Sequence, residues 1–262
     1  MAGLSVLVLM SVAAMLAGVL ATHPPDLPDP ESPLRPPLST HVLGTDYLGR
    51  DTLSRLLLAA RYTLVVAGLT AAVAVVVGAA VGGLAGYYGG AVDTLISRSM
   101  EIMLSLPVLP VLIVLGSVMD ITPARLISGI ALFQWMTVGR LIRAEFLSLR
   151  ERDFVAAART LGVPARRIMF IHLLPNAMAP LPVALALVVA NAILIESALS
   201  FLGCGIPPPT PTWGNMLTNA QSYVRIAPWL AVFPGLLITL CVGSVVFVGD
   251  ALRDAFDPRL AE

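Results

Sequence analysis

The chain has 262 residues, 57% hydrophobic and only 12% charged, with a mean hydropathy of +0.88, which excludes an ordinary soluble domain and indicates one integral membrane domain. Its 16 basic residues are all arginine, so a lysine-dependent phosphate loop and lysine Schiff-base catalysis are both excluded. The formal net charge of zero says nothing about a partner, because the charges are segregated along the chain.

Uncharged windows at 3–22, 62–92, 102–119, 126–139, 168–195 and 226–249 predict six membrane spans, most near the ~20 residues that cross a hydrocarbon core. The first lacks a basic n-region, and its apolar run from Leu4 to Ala21 is longer than a signal-peptide core, so it reads as a span. No charge precedes it, which is unusual for a cytoplasmic N-terminus and suggests a true start further upstream.

Residues 22–61 begin Pro-rich and extended, then predict an amphipathic helix lying on the bilayer. Asp51 is its N-cap, Leu53, Leu56, Leu57 and Ala60 share one face, and Arg50, Ser54, Arg55 and Arg61 stay polar. This divides the chain into 1–60 (first span, Pro-rich outer segment and interfacial helix) and 61–262 (the main membrane domain). In the second span Gly78, Gly82 and Gly86 make two overlapping GxxxG steps that let another helix approach closely. Pro107 and Pro110 predict a kink in the third. The short fourth window must borrow neighbours, over Pro123 to Arg143.

The polar run from Asp153 to Pro175 interrupts this pattern. With the N-terminus inside and six spans, 10 arginines fall on the inner side and 6 on the outer, and seven of the ten (Arg140, Arg143, Arg150, Arg152, Arg159, Arg166, Arg167) lie between spans four and five. The positive-inside rule places that segment in the cytoplasm. Asp153 is positioned as an N-cap, Phe154 to Leu161 as about two helical turns, Gly162 as a left-handed stop, and Pro164 prevents continuation. Ala156, Ala157 and Ala158 give a low profile for a partner groove, and Phe154 and Leu161, seven apart, can act as knobs. Arg166 and Arg167 suit anionic lipid or acidic partner residues. The residue chemistry alone fits a partnerless amphipathic surface helix equally well.

In the fifth span Glu196 lies about 28 Å beyond Ala177 at 1.5 Å per residue, near the outer interface. It lines the outer mouth or pairs with an outer arginine; with Ser200 and Trp213 it is the candidate translocation path or outer gate. Pro207 to Pro211 rule out a continuous helix before the last span, and the Trp213 indole suits the membrane interface. Cys204 and Cys241 read as packed thiols rather than a disulfide. His23, His41 and His172 are scattered over both sides, with no metal-ligand spacing, and there is no GxSxG elbow, so neither a metal site nor a hydrolase is expected. A secondary transporter would need midplane acids or repeated halves, and Glu196 alone supplies neither.

The segment resembles the cytoplasmic coupling loop of binding-protein-dependent ABC importer permeases, patterned as EAA, three residues, Gly, nine residues and I-x-L-P. Here Ala156-Ala157-Ala158 is followed by Gly162 and then by His172-Leu173-Leu174-Pro175 at that spacing, with Ala156 in place of glutamate and His172 in place of isoleucine. Gly44 to Leu64, Glu196 to Leu217 and Gly249 to Leu260 look like the dipeptide/oligopeptide/nickel permease subfamily, specifically its shorter C-type member. The resemblance implies an all-α, polytopic type I ABC importer transmembrane domain with a cytoplasmic coupling helix. It further implies a homologous second permease chain, two cytoplasmic ATPase subunits that bind ATP and Mg, an extracytoplasmic binding protein, and no nucleic acid. This chain would hold no cofactor and no catalytic residue, would sit in a prokaryotic cytoplasmic membrane with both termini inside, and would carry peptides, or else nickel or haem. ATP-driven closure of the ATPases would draw two coupling loops together and open the path outward.

Overall fold

Long apolar stretches fold as helices because a helix satisfies its own backbone hydrogen bonds where water cannot. The structure, a computed structural model, describes residues 2–38 and 40–256; among them the only β pairing is an isolated antiparallel bridge between Thr45 and Asp51. The end of the Gly249 to Leu260 motif, from residue 257, lies outside the described residues.

Helix α1 (Ala2–Met15) is followed by the short α2 (Ala17–Leu20) and by the outer segment. Next comes α3 (Thr52–Tyr88), 37 residues without a break and so about 55 Å long. Its N-cap is Asp51, whose carboxylate accepts the Ser54 amide at 2.8 Å. The helix expected to lie apart on the bilayer is therefore the first turns of α3. Its polar face is not solvated either: Arg50, Ser54 and Arg55 are buried, and only Arg61 stays exposed. The physical reason is that the outer segment folds back and supplies partners. Arg55 reaches Asp26 at 3.2 Å, the Pro25 carbonyl at 3.0 Å and Asp46 at 3.7 Å, while Arg50 donates to Asp46 at 2.7 Å.

After Gly89, α4 (Gly90–Ser105) and α5 (Val108–Val118) meet at 81°. Proline disfavours the helical conformation in the residue before it, and Leu106 is extended (φ −81°, ψ 133°). Pro107 thus breaks the helix outright, whereas Pro110 sits in the first turn of α5, where a missing N–H costs little. Helix α6 (Pro123–Leu149) starts at the Thr122 cap and runs six residues beyond the expected Arg143.

The α3 and α6 helices form the most extensive pairing in the fold, and the three glycines explain it. A Cβ on Gly82 would stand 2.2 Å from the Gly139 carbonyl oxygen, one on Gly78 2.7 Å from that of Trp135, and one on Gly86 2.5 Å from the Phe146 Cβ. Small residues let the two backbones touch.

A connector of α7 (Asp153–Thr160), α8 (Ala165–Arg167), a π-helical turn (Ile168–Leu173) and α9 (Leu174–Ala177) leads to α10 (Leu181–Phe201). Helices α11 (Trp213–Gln221) and α12 (Trp229–Phe256) complete the bundle. Among the described residues α3, α10 and α12 are each long and apolar enough to cross a membrane, and α4 with α5 passes as one broken span. The α6 helix has the length but carries Arg125, Arg140 and Arg143; the last is held by the Asp93 carboxylate of α4, through a contact at 2.7 Å. Cys204 and Cys241 are both free, the latter fully buried.

Candidate functional site

The α7 helix has its N-cap at Arg152, with no side-chain cap bond, and Asp153 is its first residue. Asp153 therefore does not cap the helix as expected; its carboxylate sits in the first turn, where the partial positive charge of the helix end favours an acid. At the other end Gly162 has φ +73°, the Gly162 amide donates to the Arg159 carbonyl at 3.0 Å, and the Val163 amide to that of Ala158 at 3.0 Å. This pair of bonds is a Schellman stop, which requires the left-handed residue glycine supplies.

Side chains divide α7 into two faces. Val155 is fully buried and Ala158 nearly so, sharing a core with Val138, Ile142 and Phe146 of α6, Ala71 and Ala74 of α3, and Ile168, Met169 and Leu173 of the π-helical turn. Burying a side chain like Val155 contributes roughly 1.5–3 kcal/mol. Ala158 thus belongs to the attachment, and only Ala156 and Ala157 of the alanine run face outward. Phe154 and Leu161 are 42% and 82% exposed, two apolar knobs on the free side. The Arg159 guanidinium lies 5.8 Å from the Tyr87 ring centre at the end of α3, a cation–π contact that ties the helix down again. Arg166, Arg167 and Pro175 are exposed. Pro175 has no N–H for the carbonyl four residues back, which accounts for the widened π turn just before it.

The second group lies where α10 meets α3 and α11. Glu196 is fully buried. Its carboxylate accepts the Ser200 hydroxyl at 2.7 Å and lies 3.5 Å from those of Ser197 and Thr63. Among the described residues no arginine pairs with it, and it lines no open mouth in this conformation. The physical reason is the loop after α10. Thr212 and Asn215 form a reciprocal capping box, and Gly214 sits so close that a Cβ there would meet the Ser197 carbonyl at 2.4 Å. Trp213 is likewise drawn in: fully buried, its indole Nε1 donates to the Leu56 carbonyl at 3.3 Å, so it anchors the core rather than the membrane interface.

Sequence spacing missed one constellation. His23 and His41, expected to be scattered, converge on Asp51, which accepts from His41 Nδ1 at 2.9 Å. Burial by itself would raise the Asp51 pKa, but hydrogen bonds from the amide and hydroxyl of Ser54, then from His41 and Thr22, outweigh it and hold the carboxyl below its ordinary value. No fixed spacing announces this, because a folded Pro-rich segment separates the histidines.

Residues 74–262 match the family described as binding-protein-dependent transport system inner membrane component. The chain is 37% identical over 258 residues to the dipeptide transport system permease protein DppC of Alkalihalophilus pseudofirmus, covering 98% of this chain and 85% of the relative. It is 38% identical over 264 residues to the di/tripeptide transport system permease protein DppC of Pseudomonas aeruginosa (98% and 87%), and 36% over 266 residues to the dipeptide permease DppC of Haemophilus influenzae (99% and 90%). Among solved structures a chain of the MetNI methionine ABC transporter, in an inward-facing conformation, superposes with a TM-score of 0.56 over 75% of this chain and 93% of that one; at 18% identity the likeness is one of fold.

Proposed function

The chain belongs to the binding-protein-dependent transport system inner membrane components, and from that premise we propose that it is the C-type permease subunit of an ATP-driven peptide importer. It is a membrane-embedded, multi-pass protein. With a second, homologous permease chain it forms the path for di- or oligopeptides handed over by an extracytoplasmic binding protein. Two cytoplasmic ATPase subunits bind ATP and Mg and grip one coupling helix in each permease. The arginine-rich connector, and both termini, lie on the cytoplasmic side.

The observation that carries this reading is the two-faced α7. Its inner face, through Val155 and Ala158, is buried with the π-helical turn in the core that α6 and α3 also line, and the Arg159–Tyr87 contact ties it to α3, while Phe154, Ala157 and Leu161 stand free. A partner that moves the free face moves the glycine-packed α3–α6 pair as a unit, because close-packed helices transmit displacement rather than absorb it. That displacement reaches Glu196 through Thr63 of α3. Separation of α3 from α10 and α11 is the step that opens the sealed hydroxyl–carboxylate cluster, and Ser200 and Trp213 move with it.

Reconstitution in proteoliposomes with the partner subunits and binding protein tests the reading: labelled dipeptide enters only with ATP and the ATPases. Uptake by this chain without any ATPase, or driven by an ion gradient alone, overturns it.

A further inference from the structure

The outer segment leaves α2 at His23 and returns past His41 to Asp51. Its fold brings the two imidazoles together, with ring centroids 4.5 Å apart and planes inclined at 34°. Both Nδ1 atoms lie near the same carboxylate oxygen: Asp51 Oδ1 is 2.9 Å from that of His41 and 3.8 Å from that of His23, which also lies 3.1 Å from the Thr22 hydroxyl. One ligand atom from each of the three residues lies within 4.8 Å of the others. A tetrahedral ion with bonds of about 2.0–2.1 Å spaces its ligand atoms roughly 3.3–3.4 Å apart, between the two observed separations.

The surroundings already prepare the carboxylate for such a role. Asp51 Oδ2 accepts the Ser54 amide at 2.8 Å, the Ser54 hydroxyl at 2.7 Å and the Thr22 hydroxyl at 3.2 Å, so the side chain is held from behind and Oδ1 is turned to the imidazoles. Outer hydrogen bonds of this kind orient ligating groups. Access is graded: the Asp51 side chain is fully buried, His41 is 11% exposed and His23 41% exposed. A cavity of about 310 Å³, lined by Thr22, His23, Pro25, Ser54 and Leu58 among others, opens beside His23 and leaves room for a water as fourth ligand.

We propose that His23, His41 and Asp51 form a binding site for a divalent transition-metal ion, zinc by the chemistry of two imidazoles and a carboxylate. The ion staples the start and the end of the outer segment to the N-terminus of α3. The site stands apart from the transport reading, since it rests only on these side chains.

Cobalt(II) titration of the full-length chain, purified in detergent without a polyhistidine tag and stripped with chelator, tests it. One cobalt per chain is expected, with the intense visible absorption of a four-coordinate centre, displaced by an equimolar amount of zinc; zinc also raises the unfolding temperature. His23→Asn, at the half-exposed ligand, abolishes both signals without changing the metal-free unfolding temperature, and His172→Asn changes neither. Absence of the four-coordinate spectrum, or a spectrum that survives His23→Asn, overturns the proposal and leaves the His41–Asp51 contact as a hydrogen bond only.

Discussion

Glu196 is held by hydroxyls rather than by a counter-charge, which makes it sensitive to charge and tolerant of shape. Glu196→Gln keeps an oxygen for Ser200 to donate to and is expected to fold normally but to lower peptide uptake; wild-type uptake with reduced expression assigns it a structural role instead. Gly162 has open space around it, so its requirement is the backbone alone. Gly162→Val is expected to strain the stop of α7 by about 1–2 kcal/mol, lowering ATPase-coupled uptake while membrane insertion survives; normal uptake by this variant argues against docking there. The alanine run splits in the same way. Ala157→Trp on the exposed side leaves the unfolding temperature unchanged but uncouples ATP hydrolysis from transport or blocks assembly, whereas Ala158→Trp overpacks the core and lowers the unfolding temperature. The composition of AAA shows a small-residue surface; which alanine points inward follows only from the tertiary core in which Ala158 is buried.

Helices follow the sequence most closely where the chemistry is local. The Asp51 cap, the Gly162 stop and the GxxxG steps all appear at their expected positions because each is set by a residue's own backbone or size. Departures occur where two elements meet. Pro107 separates α4 from α5 at 81° rather than bending one helix, and the polar face of 50–55 is covered rather than wetted. The α3–α6 contact offers a clean contrast. Gly82→Leu puts a side chain into a backbone carbonyl and is expected to abolish the folded, detergent-soluble protein. Gly68→Ala in the same helix meets nothing within 4 Å and is expected to be neutral or to stabilise by up to ~1 kcal/mol, read from thermal unfolding.

Across the whole molecule the outer segment behaves as a lid bolted to the bundle. Thr45 joins it internally by donating to the Ser32 carbonyl at 2.6 Å, Trp229 donates to the Thr45 carbonyl at 3.3 Å, and Tyr47 stacks on Tyr223 with centroids 5.7 Å apart. Asp46→Ala leaves the buried Arg50 without its carboxylate, while Arg55 keeps Asp26 and the Pro25 carbonyl; losing one partner of a buried pair costs about 3–5 kcal/mol. Limited proteolysis within residues 22–51 is expected to accelerate, and unchanged cleavage argues that the segment is held elsewhere. Membrane residence, the helical class, the arginine-rich connector and the family are legible in the linear chain, because hydropathy, arginine placement and motif spacing are properties of neighbours in sequence. The inward turn of Trp213, the sealing of Glu196 by Thr63, and the meeting of His23 and His41 at Asp51 are not. Each joins groups 10 to 157 residues apart, and such contacts come into being only when helices and loops close on one another and every buried polar group must find a partner.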